Sequence, residues 1–318
     1  NAYESIEEAL NQAYTHTPDV IIGPLQKNHV ARLSYLDLPY PVIALNQLDI
    51  NQKNQNLFHF SLSSEDDIKQ LIVFAKQQGA ENAAILSTQD TWALKQADEF
   101  AQAAEKEHLT LLSNQSYGST SKERQQAVQK LLLVDESYQR KQLIERWTGE
   151  QVETTTRSRK DLDYIFYVGK LSDAKQIRPL VDFYFADAIP MLSTNSLNDN
   201  PPGASDNTSD IERILFTEIP ALTSKQSQTS NLPSHPGSNI LRRLQALGAD
   251  AYLLANRYSL FTQLANTKMS ANTGIISMDD MGIFHKRPEI MTYRKGRLVN
   301  VQDYEYFPQY EQAQTSQE

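Results

Sequence analysis

Short apolar runs alternate with amphipathic stretches along most of this sequence, and the alternation restricts the folds open to the chain. The apolar runs of the first part are Asp19–Gly23, Pro41–Leu45, Leu57–Leu62 and Ala83–Ser87. Nearly continuous apolar runs are typical of buried parallel strands. An apolar stripe that begins at Ile68 predicts a helix with Ser64 as its N-cap and Gly79 just past its end. Strand–helix alternation predicts βαβ units and a parallel sheet with helices on both faces.

The same rhythm restarts after Tyr117 and Gly118. The later predicted helices are Lys122–Val134, Tyr138–Trp147, Asp173–Phe185, Asn239–Leu247 and Ala249–Thr267, and the later strands are Asp163–Val168, Ile189–Ser193 and Ile214–Glu218. Near the end, Glu289–Arg294 and Arg297–Gln302 predict an antiparallel hairpin around Lys295-Gly296. The last ten residues, Gln309–Glu318, are polar and predict a frayed end.

The length and the repeated rhythm together predict two lobes. A chain of 318 residues exceeds what one hydrophobic core usually supports. We expect an α/β protein in which each lobe has a mainly parallel sheet flanked by helices, with several hinge crossovers of the chain between the lobes. We assign 1–117 and about 221–272 to the first lobe, and 118–220 and about 273–318 to the second.

Composition disfavours several classes of partner. The formal net charge of −9 repels phosphate backbones and anionic lipid, so neither nucleic acid nor direct membrane docking is expected. A local basic patch at Arg157, Arg159 and Lys160 is more simply a solvated face. The apolar runs are too short for a membrane span. The chain contains no cysteine, which excludes disulfides and cysteine-ligated zinc.

Polar residues at predicted strand ends are the candidates for a binding cleft between the lobes. Ligands of open α/β sheets bind at the carboxyl ends of parallel strands. The candidates are Gly23, Pro24, Leu25, Asn46, Gln47, Ser61, Ser87, Thr88, Tyr117, Thr194 and Asn195. The alternative is that these are ordinary turn residues, because turns favour Gly, Pro, Asn and Ser. Two polar stretches, Thr194–Asp210 and Thr223–Ser238, predict surface loops that either contact a partner or are tolerated insertions.

Motifs for catalysis are incomplete. Ser119-Thr-Ser-Lys122 and Ser205-Asp-Asn207 match two of the three signatures of penicillin-binding enzymes, but Lys-Thr-Gly is absent from the sequence. Thr120 and Glu123 instead predict a capping box at the start of a helix. The histidines have no metal-ligand spacing. We therefore predict no catalytic residue, no metal ligand and no cofactor.

Several segments together resemble the LppC/LpoA family of outer-membrane lipoproteins that activate a penicillin-binding protein. They are Asp19–Asn28, Ala44–Gln47, Tyr117–Ser121, Thr217–Leu222, Leu247–Asn256 and Asn272–Gly274, in the family's order and over nearly the whole chain. The resemblance implies the carboxy-terminal domain, with a type I periplasmic-binding-protein fold and no established catalytic residues. Residues 131–160 depart from the family's pattern, and an insertion there would lie in the second lobe.

The resemblance also implies a role and a location. The chain would regulate peptidoglycan synthesis by binding a class A penicillin-binding protein across the periplasm, while the full-length lipoprotein is anchored to the inner face of the outer membrane. The resemblance implies that the amino-terminal helical-repeat domain and the lipid anchor are missing from this chain, and the start at Asn1 predicts a mature or trimmed fragment. The alternative is a periplasmic solute receptor that closes around an amino acid or similar small ligand. A cell-wall enzyme would rest only on the incomplete serine motif.

Overall fold

The computed structural model describes residues 5–48, 54–149, 158–200, 207–223 and 238–301. Several sequence predictions lie wholly or partly outside these residues. They are the basic patch at Arg157, the end of the hairpin at Gln302, the Ser205-Asp206 dipeptide, residues 201–206 and 224–237 of the two polar stretches, and the end of the chain at 309–318.

Helices and strands alternate along the described residues. The helices are α1 Ile6–Tyr14, α2 Lys27–Leu33, α3 Ser64–Gln77, α4 Thr91–Lys106, α5 Ser121–Leu131, α6 Val134–Thr148, α7 Leu171–Phe183, α8 Pro220–Thr223, α9 Asn239–Ala255 and α10 Tyr258–Gln263. The strands are β1 Ile21–Ile22, β2 Val42–Ala44, β3 Leu57–Phe60, β4 Asn82–Thr88, β5 Thr110–Tyr117, β6 Tyr164–Val168, β7 Met191–Ser193, β8 Ile214–Glu218, β9 Lys268–Ser270, β10 Ile275–Met278, β11 Ile283–Arg287, β12 Glu289–Arg294 and β13 Arg297–Asn300.

The chain forms two compact units. The first comprises 1–66 and 219–288, and the second comprises 67–218 and 289–318. This division differs from the predicted one, because β4 pairs with β6 and β5, which puts 82–117 in the second unit's sheet. The first boundary falls within the first turn of α3, where the composition of the chain does not change.

The first unit is built on a six-stranded mixed sheet in the order β1-β2-β3-β11-β10-β9. The strands β1, β2, β3 and β11 run parallel, whereas β10 and β9 are antiparallel additions. One core cluster packs the sheet against α9 and α10 through Leu247, Ala251 and Phe261. A second cluster packs it against α1 and α2 through Leu10 and Val30.

The second unit has a seven-stranded sheet in the order β13-β12-β8-β7-β6-β4-β5. The strands from β8 to β5 are parallel, and β12 and β13 are antiparallel. All five residues of β6 are buried, so the central strand is apolar on both faces. On one face Phe166 stacks on Phe100 of α4, with ring centroids 4.0 Å apart. Ile165 and Tyr167 belong to the core of the other face.

Several elements differ from the sequence predictions. The two helices expected at 239–247 and 249–267 are instead one helix through Gly248, α9, followed by the short α10. A glycine inside a helix costs only about 1 kcal/mol, which packing of the apolar face offsets. The strands β5, β9, β10 and β11 were not predicted. Exposed, half-buried and polar residues interrupt their apolar runs, as at Asn114 and Lys268.

Candidate functional site

The first unit brings the polar turns after β1, β2 and β3 together. It contains Gly23, Pro24, Leu25, Asn46, Gln47 and Ser61 of the predicted site. The backbone N–H of Leu45 donates to the Pro24 carbonyl at 2.9 Å, and Asn46 Nδ2 donates to the Leu25 carbonyl at 2.9 Å. The Gly23-Pro24 peptide bond is cis, and Gly23 has φ +115°, which favours glycine. The sheet therefore places these residues at one edge.

The side-chain amides of Asn46 and Gln47 form hydrogen bonds within the first unit. Asn46 Oδ1 accepts from the backbone N–H of Gln47 at 2.9 Å, and Gln47 Nε2 donates to Glu65 Oε2 at 3.1 Å. Ser61 Oγ donates to Gln47 Oε1 at 3.4 Å. These contacts hold the turns in place, which is the role of ordinary turn residues. Leu25, with 55% of its surface exposed, is the large apolar side chain of the cluster.

A charged cluster in the same unit was missed by the sequence analysis. His285 of β11 lies between two carboxylates, with Nδ1 2.8 Å from Asp66 and Nε2 3.2 Å from Asp279. The Asp66 hydrogen bond raises the pKa of His285, partly opposed by burial, and Asp279 adds to the rise. Asp66 also accepts from the backbone N–H of Lys286 at 2.9 Å. Asp66 and His285 are 219 positions apart, so spacing gave no signal.

The second unit holds a row of buried hydroxyl groups at the carboxyl ends of its parallel strands. The register of β4, β6, β7 and β8 puts Ser87, Thr194 and Thr217 on one face of the sheet. Thr194 Oγ1 donates to Gln96 Oε1 of α4 at 2.9 Å. The hydroxyls of Ser87 and Thr217 are buried and have no hydrogen-bond partner among the described residues. Ser87 and Thr194 were predicted site residues, whereas Thr217 was not.

Tyr117 and Thr88, both predicted site residues, lie side by side across β4 and β5. The Tyr117 hydroxyl is 2.9 Å from the Tyr167 hydroxyl. Burial raises the pKa of both phenols, so both are neutral and can share this hydrogen bond. A Cβ at Gly169 would collide with both hydroxyls, which fixes glycine at that position. Tyr117 is therefore buried in the core of the second unit.

Asn195 begins a 3-10 helix, Asn195–Asn198, inside the segment predicted to be a surface loop. Thr194, Leu197 and Asn198 are buried. Asn198 Nδ2 donates to Glu218 at 2.7 Å, and the Tyr293 hydroxyl donates to Asn198 Oδ1 at 2.5 Å. The prediction of a surface loop is therefore wrong for Thr194, Leu197 and Asn198, because the apolar side chain of Leu197 packs into the core beneath the sheet.

The Ser-x-x-Lys sequence forms a helix cap, as predicted. Thr120 Oγ1 accepts from the backbone N–H of Glu123 at 3.2 Å, and Glu123 Oε2 accepts from the backbone N–H of Thr120 at 2.9 Å. The Thr120 hydrogen bonds lower the pKa of Glu123. Ser119 and Lys122 are exposed beside this capping box. Asn207, the described residue of the second motif, accepts from the backbone N–H of Ser209 in a turn.

The described residues contain neither a metal-binding cluster nor a membrane-spanning helix. Among these residues no three His, Asp or Glu side chains form a group that could hold a metal ion. Within the same residues, no helix combines the length and apolarity that crossing a membrane requires.

Comparison with known proteins assigns the chain to a family. Residues 1–296 match the family described as "LppC putative lipoprotein". The penicillin-binding protein activator LpoA of Pectobacterium parmentieri is 27% identical over 314 residues, which cover 94% of this chain and 47% of that protein. The chain thus spans about half the length of the curated relatives it matches.

Solved structures share the fold. The LpoA (YraM) C-domain from Haemophilus influenzae, described as a regulator of PBP1A, superposes with a TM-score of 0.68 at 18% identity, covering 94% of this chain and 86% of that one. An ABC transporter substrate-binding protein from Desulfitobacterium hafniense gives a TM-score of 0.54 at 15% identity, covering 93% and 85%. The expected periplasmic-binding-protein-like α/β fold is confirmed. The chain belongs to the LppC family.

Proposed function

We propose that this chain is a regulatory, non-enzymatic domain that binds and activates a class A penicillin-binding protein. One observation carries the proposal: the family match extends over residues 1–296, and the relatives found by sequence are named penicillin-binding protein activators. Its fold also matches nearly the whole of a C-domain described as a regulator of PBP1A.

Activation requires that the chain bind an active conformation of the synthase more tightly than an inactive one. Equal affinity for both conformations would leave the equilibrium between them unchanged, however tight the binding. A tenfold preference corresponds to about 1.4 kcal/mol of coupling free energy, which a modest protein interface supplies.

The incomplete serine motif supports a role without catalysis. Ser119 precedes a helix cap, and its i+3 partner Lys122 is exposed at the start of α5. A nucleophilic serine needs a base within hydrogen-bond reach and a nearby oxyanion site. The Lys-Thr-Gly sequence of the penicillin-binding signature is absent from the chain.

We place the chain in the periplasm, as part of a lipoprotein anchored to the inner face of the outer membrane. The family's description as a lipoprotein supports this location. The synthase would then be reached across the periplasm, and the membrane would be contacted only through the lipid anchor.

The polar stretches remain candidates for the partner contact, with a narrower extent than the sequence suggested. Residues 194–198 are packed into the second unit, so a deletion test should spare them. Removing 201–206, or separately 224–237, tests each stretch while leaving these buried residues in place. Full binding and activation by both deletion variants would dismiss this part of the proposal.

A small polar ligand in the second unit is a separate part of the proposal. The buried hydroxyls of Ser87 and Thr217 share one face of the sheet with the hydrogen-bonded hydroxyl of Thr194, and Val168 of β6 lies between Ser87 and Thr194. Convergent polar groups at strand ends are what a small-ligand site requires. The solute-receptor alternative is not favoured, because the sequence relatives are named activators. A rise in melting temperature with an amino-acid panel would revive it.

Direct binding tests the central proposal. The purified chain is titrated against the periplasmic part of a class A penicillin-binding protein from the same organism, with a solute-binding protein of the same fold as the control. We expect saturable binding by this chain and none by the control. Absence of binding by a chain shown to be folded would overturn the proposal.

A further inference from the structure

A hollow lined by aromatic rings lies in the second unit, away from the strand ends described above. Its volume is about 470 Å³, and α5, α6 and the end of α7 form its walls. The lining residues that concern us are Gln129, Asp135, Tyr138, Phe183, Tyr184 and Phe185. Helix α6 supplies three of the seven lining residues and belongs to the 131–160 stretch that we expect to depart from the family's pattern.

The aromatic rings around the hollow are exposed to an unusual degree. Tyr138 has 54% of its surface exposed, Phe183 70% and Phe185 67%. Large apolar side chains grouped on a surface mark an interaction site more often than scattered ones do. The grouping around a concave surface favours a ligand that enters between the rings.

The end of α7 that carries Phe183, Tyr184 and Phe185 is constrained by its backbone and its contacts. Phe185 has φ +58°, a left-handed conformation that is rare for a bulky residue. Its carbonyl accepts from Ser158 Oγ at 3.1 Å. Tyr184 accepts a hydrogen bond from Gln125 at 3.0 Å and packs edge-on against Phe183, with centroids 5.2 Å apart. The rings are thus presented by a constrained helix end.

The charge of the lining favours a cation. Asp135 is the ionisable carboxylate among the described lining residues, and these residues include no Lys, Arg or His. The Asp135 side chain is exposed and forms no hydrogen bond or ion pair among the described residues. The faces of aromatic rings carry partial negative charge and attract cations, and a nearby carboxylate adds to that attraction.

We propose that this aromatic hollow binds an arginine side chain of a polypeptide partner. A guanidinium is planar, stacks on aromatic faces and is weakly hydrated, so it suits a site with several rings and one carboxylate better than an ammonium does. The carboxylate of Asp135 would pair with the guanidinium while Tyr138, Phe183 and Phe185 contact its faces. This site stands independently of the proposed activation of a synthase.

The test uses N-acetyl-arginine amide as the probe and N-acetyl-citrulline amide as its neutral analogue of the same shape. Each is titrated into the full chain, and the aromatic resonances of Tyr138, Phe183 and Phe185 are followed by NMR. We expect saturable shifts with the arginine probe and binding at least about threefold weaker with citrulline, the size expected when a cation–aromatic attraction is lost.

Matched variants separate the site from general effects of charge and exposure. Asp135→Asn is compared with Glu136→Gln, since both acids lie in the first turn of α6 and share the helix-dipole contribution. Phe185→Asn is compared with Tyr35→Asn. Asparagine tolerates the left-handed backbone of residue 185, and Tyr35 is an exposed aromatic residue of the first unit.

We expect Asp135→Asn and Phe185→Asn each to weaken arginine binding at least about threefold, with both controls unchanged. Thermal unfolding of each variant checks that it is folded. Equal binding of arginine and citrulline would show an uncharged apolar groove and overturn the proposal. Unchanged binding by both site variants, or no saturable shift at these rings, would also overturn it.

Discussion

At the residue scale, two buried threonines differ in whether their hydroxyl groups form hydrogen bonds. Thr217 of β8 and Thr292 of β12 are both fully buried in the second unit. Thr292 Oγ1 is 2.9 Å from the carbonyls of both Glu212 and Ile214, whereas Thr217 Oγ1 has no partner among the described residues. A buried polar group without a partner costs free energy that a methyl group of the same shape does not.

This difference predicts opposite outcomes for the same substitution. Thr292→Val should lower the free energy of unfolding by about 1–2 kcal/mol, because the carbonyls of Glu212 and Ile214 lose the single O–H donor that they share. Thr217→Val should leave the free energy of unfolding unchanged or raise it by up to about 1 kcal/mol. Urea unfolding of both variants provides the comparison. If Thr217→Val lowered the free energy of unfolding as much as Thr292→Val does, the Thr217 hydroxyl would have to be hydrogen-bonded.

The His285 cluster predicts a pH dependence of stability. The pKa of His285 is raised in the folded chain, above an unfolded value of about 6.5. Its stabilisation is therefore fully present below about pH 6.5 and is lost as the pH rises through the folded pKa. The surrounding ionisable groups are Asp66, Asp279, Lys286 and His59, whose own pKa is lowered by burial.

His285→Gln isolates this contribution, since the other groups are retained. The melting temperature of the variant should fall furthest below wild type under mildly acidic conditions, and the gap should narrow at higher pH. The control is His16→Gln, which changes an exposed ring just after α1. A gap that is the same from about pH 5.5 to about pH 8.5, a range chosen around the ordinary pKa of histidine, would contradict the account.

At the element scale, one buried carboxylate connects helix α9 to the turn after β9. Asp250 Oδ1 accepts from the backbone N–H and the side-chain amide of Asn272, at 3.0 and 2.8 Å. Asp250 Oδ2 accepts from the backbone N–H and the hydroxyl of Thr273, both at 2.7 Å. Two of the segments that carried the family resemblance are therefore bonded to each other.

Asp250→Asn should lower the free energy of unfolding by about 3 kcal/mol, because its NH₂ group would face donors and leave buried groups unpaired. The control is Asp98→Asn, which makes the same chemical change at an exposed position inside α4. Chemical denaturation gives the comparison, and the control should change the free energy of unfolding by no more than about 0.5 kcal/mol. A loss below about 1 kcal/mol for Asp250→Asn would contradict the role assigned to this network.

The elements recovered from the sequence are those with a strong local signal. β6 reads as an unbroken apolar run, and the Lys295-Gly296 turn has positive φ at both residues, as a tight hairpin turn requires. β10 and β11 have no such signal, since Ser277 and His285 interrupt their apolar residues. β11 is stabilised by pairing with the distant strand β3, and β10 by pairing with β11 and β9. The His285 cluster, which depends on that pairing, was hidden for the same reason.

At the scale of the whole molecule, the division into two units was the feature that the sequence predicted least well. The chain passes between the units after residues 66, 218 and 288, and each passage lies in or beside a regular element. The composition of the chain does not change at these points, and strands and helices continue on both sides of them. The sequence therefore does not mark the boundaries between the units. The strand-end residues of the first sheet lie near one another, and register puts those of the second sheet on one face, because the carboxyl ends of parallel strands share one edge. Their role in binding stays a prediction.

The most direct test of the central claim is the rate of peptide cross-linking by a class A penicillin-binding protein as the purified chain is added. The account predicts a saturable rise, half-complete at the concentration that gives half-maximal binding. It also predicts no effect of a Ser119→Ala substitution on that rise, because the proposed function gives Ser119 no catalytic role. An unchanged cross-linking rate at saturating concentrations of the folded chain would contradict the claim that this domain activates the synthase.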